Sequence, residues 1–423
     1  SAYRHQEAWS SQLLEAAVQT ATAFHAHTPL DYALLTGDMV DNIQRNELEW
    51  FLTVLEGGIV DPDSGDDDDP IPGGENDPHD AFIAHGFPVD VPWYVTAGNH
   101  DLLELGNGPL VSWMLADPTG DTANSSSALD WLNNAVTPIC LDAPYYPTES
   151  PAPERCFVPP KSYFVSTDVI PDAGREFFGR FDWIAAFFDT MTTPPGHGYQ
   201  EHHLNTGWGS FVVEDPVPGV PLALVVLDTV STSGQWGTFD AERAEWLLGV
   251  LDWAEAEGKL VFVASHHSAS SIDDEEEAAD FLQMMNDHPN VVAHFAGHTH
   301  LHRVRPRPAP EGLGPEHGYW EVETAALGIW PQQTRLVELV DHRDGTGALY
   351  LTVVDFQVPA EMPVVEGARF YGLFDVQSGS GENGAGTELD RNVVLKVAFP
   401  LALADQLAQV APRPVRTFEL APE

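Results

Sequence analysis

Four short segments carry residues that could do chemistry together: Gly37-Asp38 in GDMVDN, Gly98-Asn99-His100-Asp101, His266-His267 in SHH, and Gly297-His298-Thr299-His300. Carboxylate and amide oxygens mixed with imidazole nitrogens form a donor set suited to Mn, Fe or Zn, and the residue types do not choose among them. In three of the four a glycine leads, where it lets the backbone turn sharply and approach a ligand closely. His298, His300 and His302 fall at every second position, one side of an extended chain. Taken singly, each residue has a plainer reading: Asp38 and Asp41 as helix caps, Asn99 as a turn residue, His294 as a structural histidine. Taken jointly, they point to a metal site.

These segments need elements that bring them to one place. Each follows an apolar run: DYALL, VPWYV, KLVFVA and NVVAHFA read as buried strands. Ligand sites in open α/β sheets gather at the carboxyl ends of strands, which is where all four fall. Between them, Leu14, Ala17, Val18, Ala21 and Phe24 recur at helical spacing and predict a helix over 9–26. A helix is predicted over 46–56, stopped by Gly57-Gly58, and another starts at Asp240 and ends at Gly258. A further helix spans 276–286, and after it the chain reads as strands, among them GYWEVETAAL, TRLVELVDH, ALYLTVVDFQV and NVVLKVAF. Strand–helix alternation followed by a β-rich portion predicts a sheet-centred α/β sandwich. Two stretches interrupt it. Residues 57–80 form an acidic, Gly/Pro-rich loop, and residues 105–200 an insertion whose Trp113, Trp131, Tyr145, Tyr146, Trp183 and Trp208 suggest a lid.

The four blocks, in this order, resemble the calcineurin-like metallophosphoesterase family, specifically its bacterial members with a purple-acid-phosphatase-like core. GDMVDN is similar to the family's G-D-x-x-D, GNHD to G-N-H-[DE], SHH to its histidine block and GHTH to G-H-x-H, over roughly residues 10 to 340. The resemblance implies an α/β fold, a four-layer αββα sandwich of two mixed sheets with long loop insertions. Its catalytic domain would cover 1–345, with a C-terminal β-rich extension over 346–423. It implies two divalent or trivalent metal ions (Mn, Fe or Zn). Asp38 would bridge them, Asn99, His266 and His298 would serve one, and His300 would serve the other. It further implies hydrolysis of a phosphomonoester or phosphodiester by water that the ions activate. His100 would act on the leaving oxygen and Asp101 would orient it, while His267 hydrogen-bonds beside His266.

The family's first block, D-x-H, is absent: SAYRHQEA offers only a lone His5. The expectation is that this block lies upstream in the native protein. One of the two metal sites is then incomplete in this chain, which should bind one ion and hydrolyse phosphoesters weakly. A net charge of −47, from 18 Lys and Arg against 65 Asp and Glu, argues against nucleic-acid duplexes and anionic membranes as partners. A small-molecule or nucleotide-like phosphoester is the expected substrate. Arg303, Arg305 and Arg307 in RVRPRPAP either bind a second phosphate or, within an extended Pro-rich loop, balance nearby carboxylates. No apolar run is long enough to span a bilayer. Cys140 and Cys156 are either a disulfide or two unrelated thiols, and the acidic composition suits a secreted or cell-surface setting. Two rival functions remain. A metallo-β-lactamase-like hydrolase wants H-x-H-x-D-H early in the chain, which is missing. A secreted acidic binding module that keeps a degenerate, structural metal site fits the missing block.

Overall fold

The computed structural model describes residues 6–65, 78–109, 119–120, 122–125, 139–140, 156–157, 165–168, 170–232, 234–359, 362, 364–378 and 383–411. Among these the fold is mixed α/β. The helices needed below are α1 (Ser10–His27), α2 (Arg45–Glu56), α3 (Asn99–Leu102), α4 (Arg180–Ala186), α5 (Ala241–Ala256), α6 (Glu275–Asp287), α7 (Val364–Ser378) and α8 (Leu401–Leu407). The strands of the larger sheets and of the site are β1 (Ala33–Leu35), β2 (Trp93–Val95), β3 (Phe211–Val213), β4 (Leu222–Leu227), β5 (Leu260–Ser265), β6 (Val291–Ala296), β7 (Arg303–Arg307), β8 (Tyr319–Glu323), β9 (Gln333–Asp341), β10 (Thr346–Asp355) and β11 (Val393–Ala398).

A six-stranded mixed sheet forms the centre, in the order β7-β8-β6-β5-β4-β3. Its four inner strands run parallel, and β7 and β3 close the two edges antiparallel. The inner strands β4, β5 and β6 are apolar on both faces because both faces are covered. Val225, Leu227, Val261 and Val263 pack on Leu247 and Leu251 of α5 and on Phe281 and Met285 of α6. Their sequence neighbours Leu224, Val226, Phe262 and Ala264 share a core with Trp93 and Val95 of β2, Phe51 of α2, and Leu349 and Leu395. α5 starts where Asp240 accepts the Arg243 N–H, and Gly258, at φ 64, follows its end.

The remaining strands pair separately. β1 and β2 form a parallel pair, and β9, β10 and β11 an antiparallel three-stranded sheet. Only one sheet is therefore mixed among the described residues. The hairpin β9–β10 turns at residues 342–345, so a domain boundary at 345/346 divides it. Two expectations are corrected. The chain after residue 300 is not all strand: α7 packs on α1, and α8 buries Leu403 and Leu407 in the main core. RVRPR is not a loop but the edge strand β7, where Pro306 needs no ladder N–H on the outer side.

Of the expected lid, Trp113, Trp131, Tyr145 and Tyr146 lie outside the described residues, as does most of the acidic loop at 66–77. Trp183 is a core residue against Phe187, and Trp208 packs on Trp246. Cys140 and Cys156 stand opposite each other in a two-residue antiparallel pairing of the backbone. Among the described residues no helix is long and apolar enough to cross a membrane.

Candidate metal centre

All four polar segments sit just past the carboxyl ends of strands, two on the β1–β2 pair and two on the six-stranded sheet. The site therefore lies where two sheets meet. After β1 the chain turns through Gly37 (φ 94) and Asp38 (φ 58), and after β6 through His298 (φ 64) and His300 (φ 54). Left-handed backbone costs a non-glycine residue roughly 1–2 kcal/mol and concentrates at functional sites. The loops meet so closely that a Cβ on Gly37 would lie 2.4 Å from His266 Nδ1, and one on Gly98 would lie 2.1 Å from Asp38 Oδ1. The Gly297 N–H donates to the His266 carbonyl at 3.0 Å and ties the two sheet-end loops together.

Donor atoms meet around Asn99 and His266. Asn99 Oδ1 lies 2.9 Å from His266 Nε2 and 3.1 Å from His298 Nδ1, and Asp38 Oδ2 lies 3.2 Å from His266 Nε2. Two of the donors are aimed from behind. The Asn99 amide nitrogen donates to the Gly106 carbonyl at 2.9 Å, which turns its oxygen into the site. His266 Nδ1 donates to the Thr36 carbonyl at 2.7 Å, so the neutral ring presents the Nε2 lone pair. The three measured spacings fit a metal's ligand shell. Ligand atoms at about 2.1 Å from a shared ion and at right angles to one another are about 3 Å apart, and one carboxylate, one amide oxygen and two imidazoles suit Mn, Fe or Zn.

Burial first, then the neighbouring His266 charge, lower the His298 pKa to about 3. Burial also opposes charge on His266, but Asp38 outweighs it and holds that pKa above the usual histidine value. A cation among these atoms would repel protons from both rings.

His267 belongs to the same cluster, since ring nitrogens of His266, His267 and His298 lie within 4.8 Å of one another. Its own nitrogens are engaged elsewhere. Nε2 donates to the Gln235 carbonyl at 2.9 Å, and Nδ1 is 2.9 Å from the Thr229 hydroxyl. It backs the site rather than entering it. His302 is buried and turned away: its Nδ1 accepts from Arg335 at 3.0 Å and from the Ala325 N–H at 3.3 Å. The structure brings Asn99, His266 and His298 together, with Asp38 against His266. His300 is half-buried, with its carbonyl against Gly384, where a Cβ would approach to 2.4 Å.

Asp101 does not orient His100. It occupies the third position of the short helix α3 and turns back to the cap, as acidic residues there commonly do. Its Oδ2 accepts the N–H groups of Asp38 and Gly98, both at 2.7 Å, and its Oδ1 those of Met39 at 2.7 Å and Val40 at 3.1 Å. Burial and the Asp38 carboxylate raise its pKa, yet all four partners donate, so the ionised form is the one that fits this loop. Asp101 thus locks the β1 and β2 loops to each other.

The carboxylate beside His100 is Asp41, whose Oδ1 lies 3.2 Å and whose carbonyl lies 2.8 Å from His100 Nδ1. Burial works against charge on His100, but Asp41 and Asp38 outweigh it and raise its pKa to about 9. The G-D-x-x-D spacing that contains Asp41 was the available sequence signal for this partner.

The three arginines after the last block balance carboxylates. Arg305 bridges Glu321 at 2.9 Å and Glu323 at 2.7 Å, Arg307 meets Glu321 at 2.7 Å and Arg303 meets Glu323 at 3.3 Å. A different ion pair stands beside the site. Asp228 follows β4 on the strand next to His266, and it is held below the usual carboxylate range because Arg180 and Arg243 outweigh its burial. Trp236, half exposed, sets its ring 5.8 Å from that of His298, and no feature of the sequence had singled it out.

No family model and no curated protein matches the chain. Among solved structures, that of a dimetal phosphatase from Danio rerio aligns at 11% identity with a TM-score of 0.27, over 37% of this chain and 63% of that one. The alignment thus spans less than two thirds of that protein, and a likeness at this score carries no argument. The functional reading rests on the geometry of the site.

Proposed function

We propose that the protein is a metal-dependent phosphoester hydrolase, centred on an ion held by Asp38, Asn99, His266 and His298. The observation that carries this reading is the approach of Asn99 Oδ1 to both His266 Nε2 and His298 Nδ1, at 2.9 and 3.1 Å, with Asp38 Oδ2 3.2 Å from His266 Nε2. Within the proposal, the β1–β2 pair and the three-stranded sheet, though paired separately, together form the layer that faces the six-stranded sheet in a four-layer arrangement. In the resemblance His300 serves the second ion, whose ligands include residues beyond these four.

When bound, the ion supplies Lewis-acid polarisation of a phosphoryl oxygen and acidifies water. The chain's own residues supply the rest. Asp38 contributes the single negative charge of the set, while Asn99 and the two imidazoles ligate without cancelling more of the ion's charge. Asp38 Oδ1 also accepts the His100 N–H at 2.9 Å, so the ligand loop and the His100 loop move as one. His100 Nδ1 is tied to Asp41, which leaves Nε2 as the nitrogen able to give a proton to a departing oxygen. Gly106 leaves room for that ring: a Cβ there would strike His100 Nε2 at 2.5 Å.

The test is turnover of p-nitrophenyl phosphate and bis(p-nitrophenyl) phosphate with added Mn²⁺ or Zn²⁺, alongside metal analysis. Ion-dependent turnover of either ester is expected, with His100→Asn losing roughly 10²–10⁴-fold while keeping its ion. A chain that binds no ion sinks the reading. An ion held without turnover favours the second reading, a binding module with a structural ion.

A further inference from the structure

Behind the two histidine loops lies a buried charge bracket that the proposed chemistry does not use. Glu321 and Glu323 have side-chain exposures of 0% and 1%, and both point inward from β8. At one end, Glu321 Oε2 accepts the Ala269 N–H at 3.2 Å, within the loop that follows His266 and His267. In the middle, one Arg305 nitrogen bridges Glu321 Oε1 and Glu323 Oε1. At the other end, Glu323 Oε2 accepts the Thr299 hydroxyl at 2.7 Å. Thr299 sits between His298 and His300, both in left-handed backbone, and its N–H donates to the Gly297 carbonyl at 2.7 Å. A buried His294 completes the cluster. Its Nδ1 is 3.5 Å from Glu321, and its Nε2 donates to Ser265 Oγ at 2.7 Å, since that hydroxyl donates in turn to the His267 carbonyl.

Burying two carboxylates against a half-buried guanidinium is unfavourable unless every lone pair is met, and apolar residues of similar volume often serve stability as well or better. The attested use of such a group is to set register. Here its two ends close on the loops that carry His266 and His298, whose Nε2 and Nδ1 must share one Asn99 oxygen at 2.9 and 3.1 Å. We infer that Glu323 and Thr299 are positioning residues. The Thr299 hydroxyl pins the strained loop to the Glu321–Arg305–Glu323 bracket and holds His298 Nδ1 at its place in the donor set. This inference rests on the metal reading of the site.

The experiment titrates the purified full chain with Zn²⁺ by calorimetry and records the visible spectrum of its Co²⁺-loaded form. Thr299→Val keeps the shape and removes the hydroxyl, and Glu323 keeps Arg303 and Arg305. Loss of a partner that orients a ligand typically weakens metal binding by roughly 10–100-fold, which is the loss expected for Thr299→Val. The Co²⁺ spectrum should shift as His298 moves. Thr299→Ser, which restores the hydroxyl, should recover both readouts, and the thermal midpoint of the ion-free protein should change little in either variant. Should Thr299→Val fold poorly, Thr299→Ala asks the same question with less bulk. A wild-type chain that binds neither Zn²⁺ nor Co²⁺ overturns the metal reading and this inference with it. Wild-type affinity and spectrum in Thr299→Val, beside an ion-binding parent, overturn this inference alone.

Discussion

Gly98→Ala places a single methyl group where the site has no room for it. Gly98 has φ −101, a conformation alanine adopts readily, so the substitution adds no backbone strain. Its Cβ would fall 2.1 Å from Asp38 Oδ1, 2.4 Å from Asp38 N and 2.8 Å from Asp38 Cγ. Asp38 must therefore move by more than an ångström, because ordinary contacts begin near 3.4 Å. That movement costs about 1–3 kcal/mol as overpacking in a closed site. It also breaks the 2.9 Å bond from the His100 N–H to Asp38, a hydrogen bond to a charged group worth about 1.5–3 kcal/mol. Together the loss is about 3–6 kcal/mol before relaxation.

The assay pairs a urea midpoint for the ion-free protein with the stabilisation gained on adding Zn²⁺. An ion at 100 times its Kd stabilises by about 2.7 kcal/mol, and Gly98→Ala should forfeit most of that gain as well as lower the midpoint. Gly249→Ala is the control. Gly249 lies exposed in α5 with nothing within 4 Å of its would-be Cβ, so alanine there should stabilise by about 0.5–1 kcal/mol and leave ion binding untouched. Gly98→Ala with wild-type Zn²⁺ affinity would refute the packing of Asp38 against this loop.

Three further outcomes are expected. Burial lowers the pKa of His197, which stacks on Trp93, from 6.5 to about 4. Its folded pKa lies below the unfolded one, so its contribution, about 3 kcal/mol, is complete above pH 6.5 and is lost as pH falls towards 4. His197→Asn, which tolerates the left-handed φ of 48, should flatten the change in urea midpoint between pH 7.5 and 4.5, and an unchanged slope would refute the assignment. Trp236 lies against His298, so Mn²⁺ or Co²⁺ should quench its fluorescence; a Trp236→Phe protein that shows the full quench would place the ion elsewhere. In a chain of net charge −47, salt should raise kcat/KM for an anionic ester by screening repulsion, and a fall with salt would show a local cationic funnel instead.

Much of the scaffold was readable from spacing alone. α1, α2, α5 and α6 lie within a residue or two of their predicted spans, because each carries an apolar stripe and a clear stop. The polar segments were conspicuous because each interrupts an apolar run at a strand's end. What could not be read depended on partners distant in sequence. RVRPR looked like a loop because proline is rare in strands, but the edge position of β7 tolerates it and β8 supplies the carboxylates that its arginines need. α7 contains Gly367 and Gly372, which blur its periodicity, and packing on α1 compensates. Adjacency suggested that Asp101 serves His100. In a helix's first turn, however, the third residue reaches back to the cap, and the carboxylate that meets the imidazole comes from sixty residues earlier in the chain, at Asp41.

The charge balance around the centre links the fold to its proposed chemistry. The arginines nearest the last ligand loop are consumed by Glu321 and Glu323, so they offer a phosphoryl group little positive charge. The second buried carboxylate beside the site, Asp101, is spent on four backbone N–H groups rather than on the donor set. Of the four proposed ligands only Asp38 is negative, and a divalent ion there would keep a net positive charge towards solvent. In so acidic a protein that residual charge is the attraction an anionic ester would feel at short range. Replacing Asn99 by Asp would cancel it without changing the size of the ligand, which is why a neutral amide at that position suits a hydrolase better than a site that merely retains an ion.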